Sequence, residues 1–251
     1  MAARELRASQ RTAPNELSAG MAPAAPSSRL CSPPKPRPPP RRASARAAAA
    51  RASLSPVRAG ADAAGRRADA AGVSSRGTIT FELDGDAAPV TAGNFADLVK
   101  RGIYNGTVFH RVVRDPVPFV VQGGDPASSN PQTPKAQYGT GSFIDPESGQ
   151  ARFIPLEVAF EGEDQPRYGR VVSNPSELLQ LKLSHDRGAL AMARSQSPDS
   201  ASAQFYIALK PLPELDGRYA VFGRVTDGME VVDAIRQDDT IIKATLLTPG
   251  L

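Results

Sequence analysis

Three residues whose types could act together on a ligand fall between positions 108 and 125, in the run VFHRVVRDPVPFVVQGGD. Arg111 brings a planar guanidinium with donors in fixed directions, Phe119 a flat apolar wall, and Gln122 an amide that both donates and accepts. The runs Thr107–Val113 and Phe119–Val121 are rich in β-branched and aromatic residues and are separated by Arg-Asp-Pro-Val-Pro. They predict two extended strands joined by a tight connection. On one face of that pair, a cation, an aromatic wall and an amide would make a small apolar pocket with few polar groups, the usual form of a ligand site.

Other chemistries have less to work with. Cys31 is the single cysteine and lies far from this run, and only His110 and His185 are present, so neither a disulfide nor a metal site is expected. His110 alternates with Arg111 and is expected to point into the core as a hydrogen-bonded structural histidine. His185 precedes Asp186-Arg187-Gly188, a turn, and is expected to be exposed. Ser195 and Ser197 have no base nearby and read as a loop. Gly123-Gly124-Asp125 lacks the Lys-Ser/Thr and helix of a phosphate loop and reads as a tight turn after a strand.

The elements that would position these residues follow from hydrophobic patterning. Gly77–Leu83 alternates as a strand, and Asp84-Gly85-Asp86 supplies a turn. Thr91 is a candidate N-cap for a helix with Phe95, Leu98 and Val99 on one face and Gly102 at its stop. Leu156–Phe160, Gly188–Ala193, Ala203–Leu209, Ala220–Val225 and Asp239–Leu247 read as further strands. Pro175–Leu183 has a helical flavour, Gly228–Gln237 is an amphipathic helix, and Glu161–Asn174 reads as an insertion. About eight strands and two or three helices suit a closed barrel capped by helices.

Charge divides the chain unevenly. Residues 1–76 hold 14 Lys and Arg against 4 Asp and Glu, whereas the remainder holds 16 against 22. The high pI therefore belongs to the leader, and no nucleic-acid partner is expected for residues 77–251. The leader also holds 10 of the 24 prolines and no aromatic residue, so it cannot bury enough surface to offset its ordering entropy. Its Arg-rich, Ser-rich, acid-poor composition resembles an organelle transit peptide. No stretch approaches the roughly 18 apolar residues of a membrane span.

The run Phe109-His110-Arg111-Val112 followed by Phe119-Val120-Val121-Gln122-Gly123-Gly124-Asp125 resembles the signature of the cyclophilin family of peptidyl-prolyl cis-trans isomerases. So do APVTAGNFADLVKRGIYNGTVFHRV, Met192-Ala193-Arg194, Gln204-Phe205-Tyr206 and LDGRYAVFG from Leu215, in the family's order. The resemblance implies a mainly β fold, a closed eight-stranded antiparallel β-barrel capped by two or three helices. It implies Arg111 as the catalytic arginine, Phe119 as the ring flooring a proline pocket, and Gln122 as the amide that orients arginine and substrate. Val120, Met192, Ala193, Arg194, Gln204, Tyr206, Leu215 and Tyr219 are then the substrate-binding positions.

Such a reaction needs neither nucleophile nor proton transfer, and no cofactor is expected. Its barrier of about 18–20 kcal/mol comes from partial double-bond character of the amide. A guanidinium donating toward the prolyl nitrogen or carbonyl stabilises the twisted state. The chain departs from the family at Val120, where many members carry methionine, and at Arg194, where many carry asparagine. Tyr206 stands for a pocket phenylalanine, Tyr219 for a histidine, and Glu214 for a tryptophan, so weak cyclosporin binding is expected. The Arg114–Pro118 connection is also longer than usual. The expected function is isomerisation of Xaa-Pro bonds in unfolded or flexible protein segments by a monomer; the alternative is a catalytically weak binding module acting as a chaperone or assembly factor. The combination D-P-x-x-G, IPLEV, MARSxSPDSxSxQF and LDGRYAVFGRV is similar to plant and algal thylakoid-lumen members, which implies a chloroplast location.

Overall fold

The computed structural model describes residues 68–247. The basic leader up to residue 67, with the transit-peptide reading attached to it, lies outside the described residues, as do residues 248–251.

One eight-stranded antiparallel sheet carries the structure. Its strands are β1 (Ala68–Ser74), β2 (Gly77–Leu83), β3 (Arg111–Val112), β4 (Val120–Gly123), β7 (Ala189–Met192), β8 (Phe205–Ala208), β9 (Val221–Asp227) and β10 (Ile241–Leu247). They lie in the order β10-β1-β2-β9-β7-β8-β4-β3. Two short strands, β5 (Glu157–Val158) and β6 (Arg167–Tyr168), pair separately. The strand pattern alternates as a half-buried sheet requires. Val121, Leu190, Met192, Phe205 and Ile207 enter the main core, and Val120, Ala189, Ala191, Tyr206 and Ala208 face a second apolar cluster on the opposite side.

The expected closed barrel is corrected to an open one. β3 and β10 end the sheet without pairing as strands, because β3 is only two residues long. Backbone hydrogen bonds bring these edges together instead: Phe109 N–H donates to Asp239 O, Asp238 N–H to Phe109 O, and Ile241 N–H to Thr107 O. The extended run expected over Thr107–Val113 is thus mostly irregular chain that spans the gap between the two edges.

β1 lies on the N-terminal side of the boundary that composition places at Gly77, and it pairs with both β2 and β10. Its Ala-Asp-Ala-Ala-Gly sequence is short of side-chain volume. A cavity of about 20 Å³ remains in the core beside it, lined by Ala70, Ala71, Gly72, Phe81, Phe95 and Ile241 among others. Neither Arg111 nor Gln122 lines it.

Helix α1 (Pro89–Lys100) plugs the core with Phe95, Leu98 and Val99. Thr91 is not its N-cap: the helix opens one turn earlier, at Pro89, whose fixed φ and missing N–H suit a first helical position. The orphan N–H groups of Val90 and Thr91 donate instead to the buried carboxylate of Glu157, at 3.1 and 2.8 Å. α2 (Pro175–Leu178) is a single turn rather than a helix to Leu183, and Leu179 is 89% exposed while Leu178 and Leu181 pack on a third apolar cluster. α3 (Met229–Ala234) buries Val232, with Ile235 just beyond its end.

Candidate active site

Strand register assembles the site. Arg111 on β3 pairs with Gln122 on β4, Gln122 with Tyr206 on β8, and Tyr206 with Ala191 on β7. Residues directly opposite one another share a face, so these four form one cross-strand row. The face is that of the second apolar cluster, where Val120, Tyr206 and Val221 are buried and Phe119, Ala193, Leu215 and Tyr219 pack half-exposed against them. A cation, an amide and a set of apolar side chains thus share one surface.

The guanidinium of Arg111 is exposed, and its carbon sits 6.0 Å from the Phe119 ring centroid. The long Arg114–Pro118 connection bulges without disturbing this contact. Phe119 N–H donates to Val113 O and Val113 N–H to Val120 O, which closes the turn at its base. Arg114 then reaches the C-terminal end of α3, donating from Nη2 to the carbonyls of Val232 and Ile235 at 2.8 and 3.0 Å. The Val232 carbonyl also accepts the Ile235 N–H at 3.2 Å, so the cation adds a second donor there and meets the negative end of the helix.

A line of amides supports Arg111 from behind. Arg111 Nη1 donates to Gln122 Oε1 (3.4 Å), Gln122 Nε2 to Gln204 Oε1 (3.3 Å), and Gln204 Nε2 to the Gly141 carbonyl (2.8 Å). The bonds lengthen toward the exposed end, so Arg111 is the least tightly held member of the line. At the buried end the Asp125 carboxylate accepts from the N–H groups of Ala127, Gly139 and Gly141 and so fixes the segment that offers the Gly141 carbonyl. The Gly-Gly-Asp turn places this carboxylate within reach of all three donors. A side chain at Gly123 would meet Phe109 at 2.9 Å, and Gly124 combines φ +80° with Phe205 and Tyr104 as close.

The remaining expected positions fall in two groups. Tyr206, Leu215 and Tyr219 stand together, with Tyr219 edge-on to Tyr206 at 5.8 Å between centroids. The Arg194 guanidinium stacks on Tyr219 at 4.8 Å and donates to the carbonyls of Arg218, Ser195 and Gln196, so it ties two loops at the rim. Met192 differs: its side chain is buried in the main core. Its N–H and that of Ala193 already donate to Ala220 O and Gln204 O, so neither is a donor for a peptide.

Both histidines depart from expectation. The His110 ring lies against Gly139 with both nitrogens buried and unpartnered, and burial lowers its pKa. It is therefore not a satisfied core histidine. His185 is 2% exposed rather than a surface turn residue. Its Nδ1 lies 2.7 Å from Asp216 Oδ1 and its Nε2 2.8 Å from the Tyr206 hydroxyl. The one sequence signal for this contact is Tyr206 itself, since a buried phenol needs a partner. Among the described residues no group of three His, Cys, Asp or Glu is placed to hold a metal, and no helix is long and apolar enough to cross a membrane.

With this geometry in place, comparison with known proteins is informative. Residues 71–247 match the family model described as cyclophilin type peptidyl-prolyl cis-trans isomerase/CLD. A thylakoid lumen peptidyl-prolyl cis-trans isomerase of Synechocystis is 37% identical over 185 residues, 70% of this chain and 45% of that protein. A peptidyl-prolyl cis-trans isomerase of Helicobacter pylori is 34% identical over 71% of this chain and 86% of its own length. A chloroplastic one of Arabidopsis thaliana is 40% identical over 67% of this chain and 38% of its own. The chain thus matches less than half the length of two of these relatives. The crystal structure of a Cryptosporidium parvum cyclophilin shares the fold, with TM-score 0.54 at 23% identity, covering 74% of this chain and all of that one. Fold, register and motif agree: the chain belongs to the cyclophilin-type peptidyl-prolyl cis-trans isomerase family.

Proposed function

We propose that this chain is a cofactor-free peptidyl-prolyl cis-trans isomerase whose catalytic group is Arg111. The observation that carries this reading is the row Arg111–Gln122–Tyr206 beside the half-buried Phe119, Leu215 and Tyr219. An apolar proline ring lodges against Phe119 and the aromatic pair, and the guanidinium meets the amide it has to twist. As conjugation is lost, the prolyl nitrogen gains a lone pair and the carbonyl recovers double-bond character. Donors held in place stabilise that change without reorganising. Gln122 and Gln204 keep Arg111 aimed, Ala193 leaves room for the residue before proline, and Arg194 closes the rim. The Val120 side chain, buried behind the slot, sets its depth.

The substrates are proline-containing flexible or unfolded chains, met by a monomer. A chloroplast or thylakoid setting is supported by the cyanobacterial and plant relatives. Glu214 is exposed where a tryptophan would complete a cyclosporin site, so that ligand binds weakly. The deciding experiment is NMR exchange spectroscopy on an Ala-Pro-Phe peptide with the full chain, beside Arg111→Ala. Fast exchange in the wild type that falls about 100-fold or more in the variant supports the reading. A wild type that shifts the peptide resonances while leaving exchange at the uncatalysed rate makes the groove a binding module.

A further inference from the structure

Beneath the slot lies a buried chain of hydrogen bonds that the reaction itself does not require. Asp216 Oδ1 accepts from the backbone N–H of His185 at 2.8 Å and faces its ring Nδ1 at 2.7 Å. A carboxylate accepts only, so Nδ1 carries the imidazole proton and Nε2 is bare. The Tyr206 hydroxyl, 2.8 Å from Nε2, is then the donor. Burial acts in the same direction at both rings, pushing the imidazole toward neutrality and raising the phenol so that it keeps its proton. The rings lie nearly parallel, 11° apart, with the hydroxyl edge meeting the imidazole edge.

The chain of contacts closes on itself. Tyr206 packs edge-on against Tyr219, and Tyr219 belongs to the same short segment as Asp216. That segment, Leu215–Tyr219, is held at further points: Val172 N–H donates to Gly217 O and Arg194 to Arg218 O, and just before it Leu212 N–H donates to His185 O. Two walls of the slot, Leu215 and Tyr219, are therefore fixed relative to the third, Tyr206, through one imidazole.

We propose that Asp216, His185 and the Tyr206 hydroxyl are positioning residues that set the shape of the proline slot and keep its tyrosine wall apolar toward the substrate. Because the hydroxyl is taken up by His185, the slot is offered only the ring of Tyr206. This inference rests on the isomerase reading of the same groove. It separates the two tyrosines by role, Tyr206 as an anchored wall and Tyr219 as the wall it braces.

The test uses the full chain, Tyr206→Phe, His185→Leu and the double variant, with three readouts. Long-range 1H–15N correlation on the histidines should find His185 protonated at Nδ1 and bare at Nε2 in the wild type, and Nε2 should shift in Tyr206→Phe. Titration with the Ala-Pro-Phe peptide should find Kd raised about 2- to 10-fold in Tyr206→Phe, more than exchange at saturation falls. His185→Leu should weaken binding further, and the double variant should bind no worse than His185→Leu, because both changes break one chain. A wild-type His185 protonated at Nε2, or an unchanged Kd in folded Tyr206→Phe, overturns the proposal. If the wild type catalyses no exchange, the isomerase reading fails alone, and the tautomer and the Kd values still decide the positioning role.

Discussion

Asp125 never touches the groove, yet its loss should be felt there. Its fully buried carboxylate takes up three N–H groups, two of them in the segment that offers the Gly141 carbonyl to Gln204. Asp125→Ala leaves those donors buried without an acceptor. We expect a loss of about 3 kcal/mol by urea denaturation, together with slower peptide exchange in the fraction that folds. If exchange is unchanged, the amide line behind Arg111 carries no catalytic weight. Gln204→Leu cuts the same line in its middle and leaves the fold alone. It should slow exchange at saturation about 3- to 10-fold, far less than Arg111→Ala. The Arg111–Gln122 pair was legible in the sequence because one strand pair and its alternation suffice to bring it together. The Asp216–His185–Tyr206 chain was not, since its members come from three elements and each has a plain local reading. Asp216 sits in an L-D-G turn, and His185 stands before a charged one.

At the scale of elements, α1 depends on a residue 66 positions away. Local sequence supplies Pro89 at its start but no side-chain cap, and Glu157 on β5 fills that place from across the fold. Burial is the largest influence on this carboxyl and raises its pKa above the ordinary 4.5, with the two helix N–H bonds opposing. A raised folded pKa means that the folded state holds its proton more tightly than the unfolded chain. That contribution to stability is complete below about pH 4.5 and is lost as pH rises through the folded value. The stability difference between wild type and Glu157→Gln, which does not titrate, should therefore move against the wild type from pH 4 upward. Urea midpoints across that range read it directly, and a difference that grows in the wild type's favour would reverse the sign assigned to Glu157. Capping of this kind was illegible from the sequence, because a Glu in IPLEV reads only as the polar position of a strand.

The whole molecule turns on its first strand. Composition sets Ala68–Ser74 with the leader, since Ala, Asp and Gly there carry neither the volume nor the β-branching by which a strand is recognised. Topology overrules that reading: among the described strands β1 is the one that pairs with β10, and without it β10 loses its strand partner while β2 keeps only β9. The core it covers holds Ile79, Phe81, Phe95 and Ile241, all buried. A chain starting at Gly77 would expose them along with two unpaired strand edges, the arrangement that favours aggregation. Two chains, one starting at residue 60 and one at Gly77, should differ sharply in solubility and in cooperative melting, with only the longer one folding as described. Equal melting would mean that the sheet holds without β1. The same strand also offers a gain. A methyl group at Gly72 would meet Phe81 at 3.6 Å, ordinary contact beside the cavity, and the backbone there is not left-handed. Gly72→Ala should raise stability by about 0.5–1 kcal/mol through lost unfolded-state freedom and added contact. Because the change lies on the core side, away from the groove face, peptide exchange serves as its control. A stability gain that came with slower exchange would mean that the β1 side of the core and the proline slot are coupled through the strands between them.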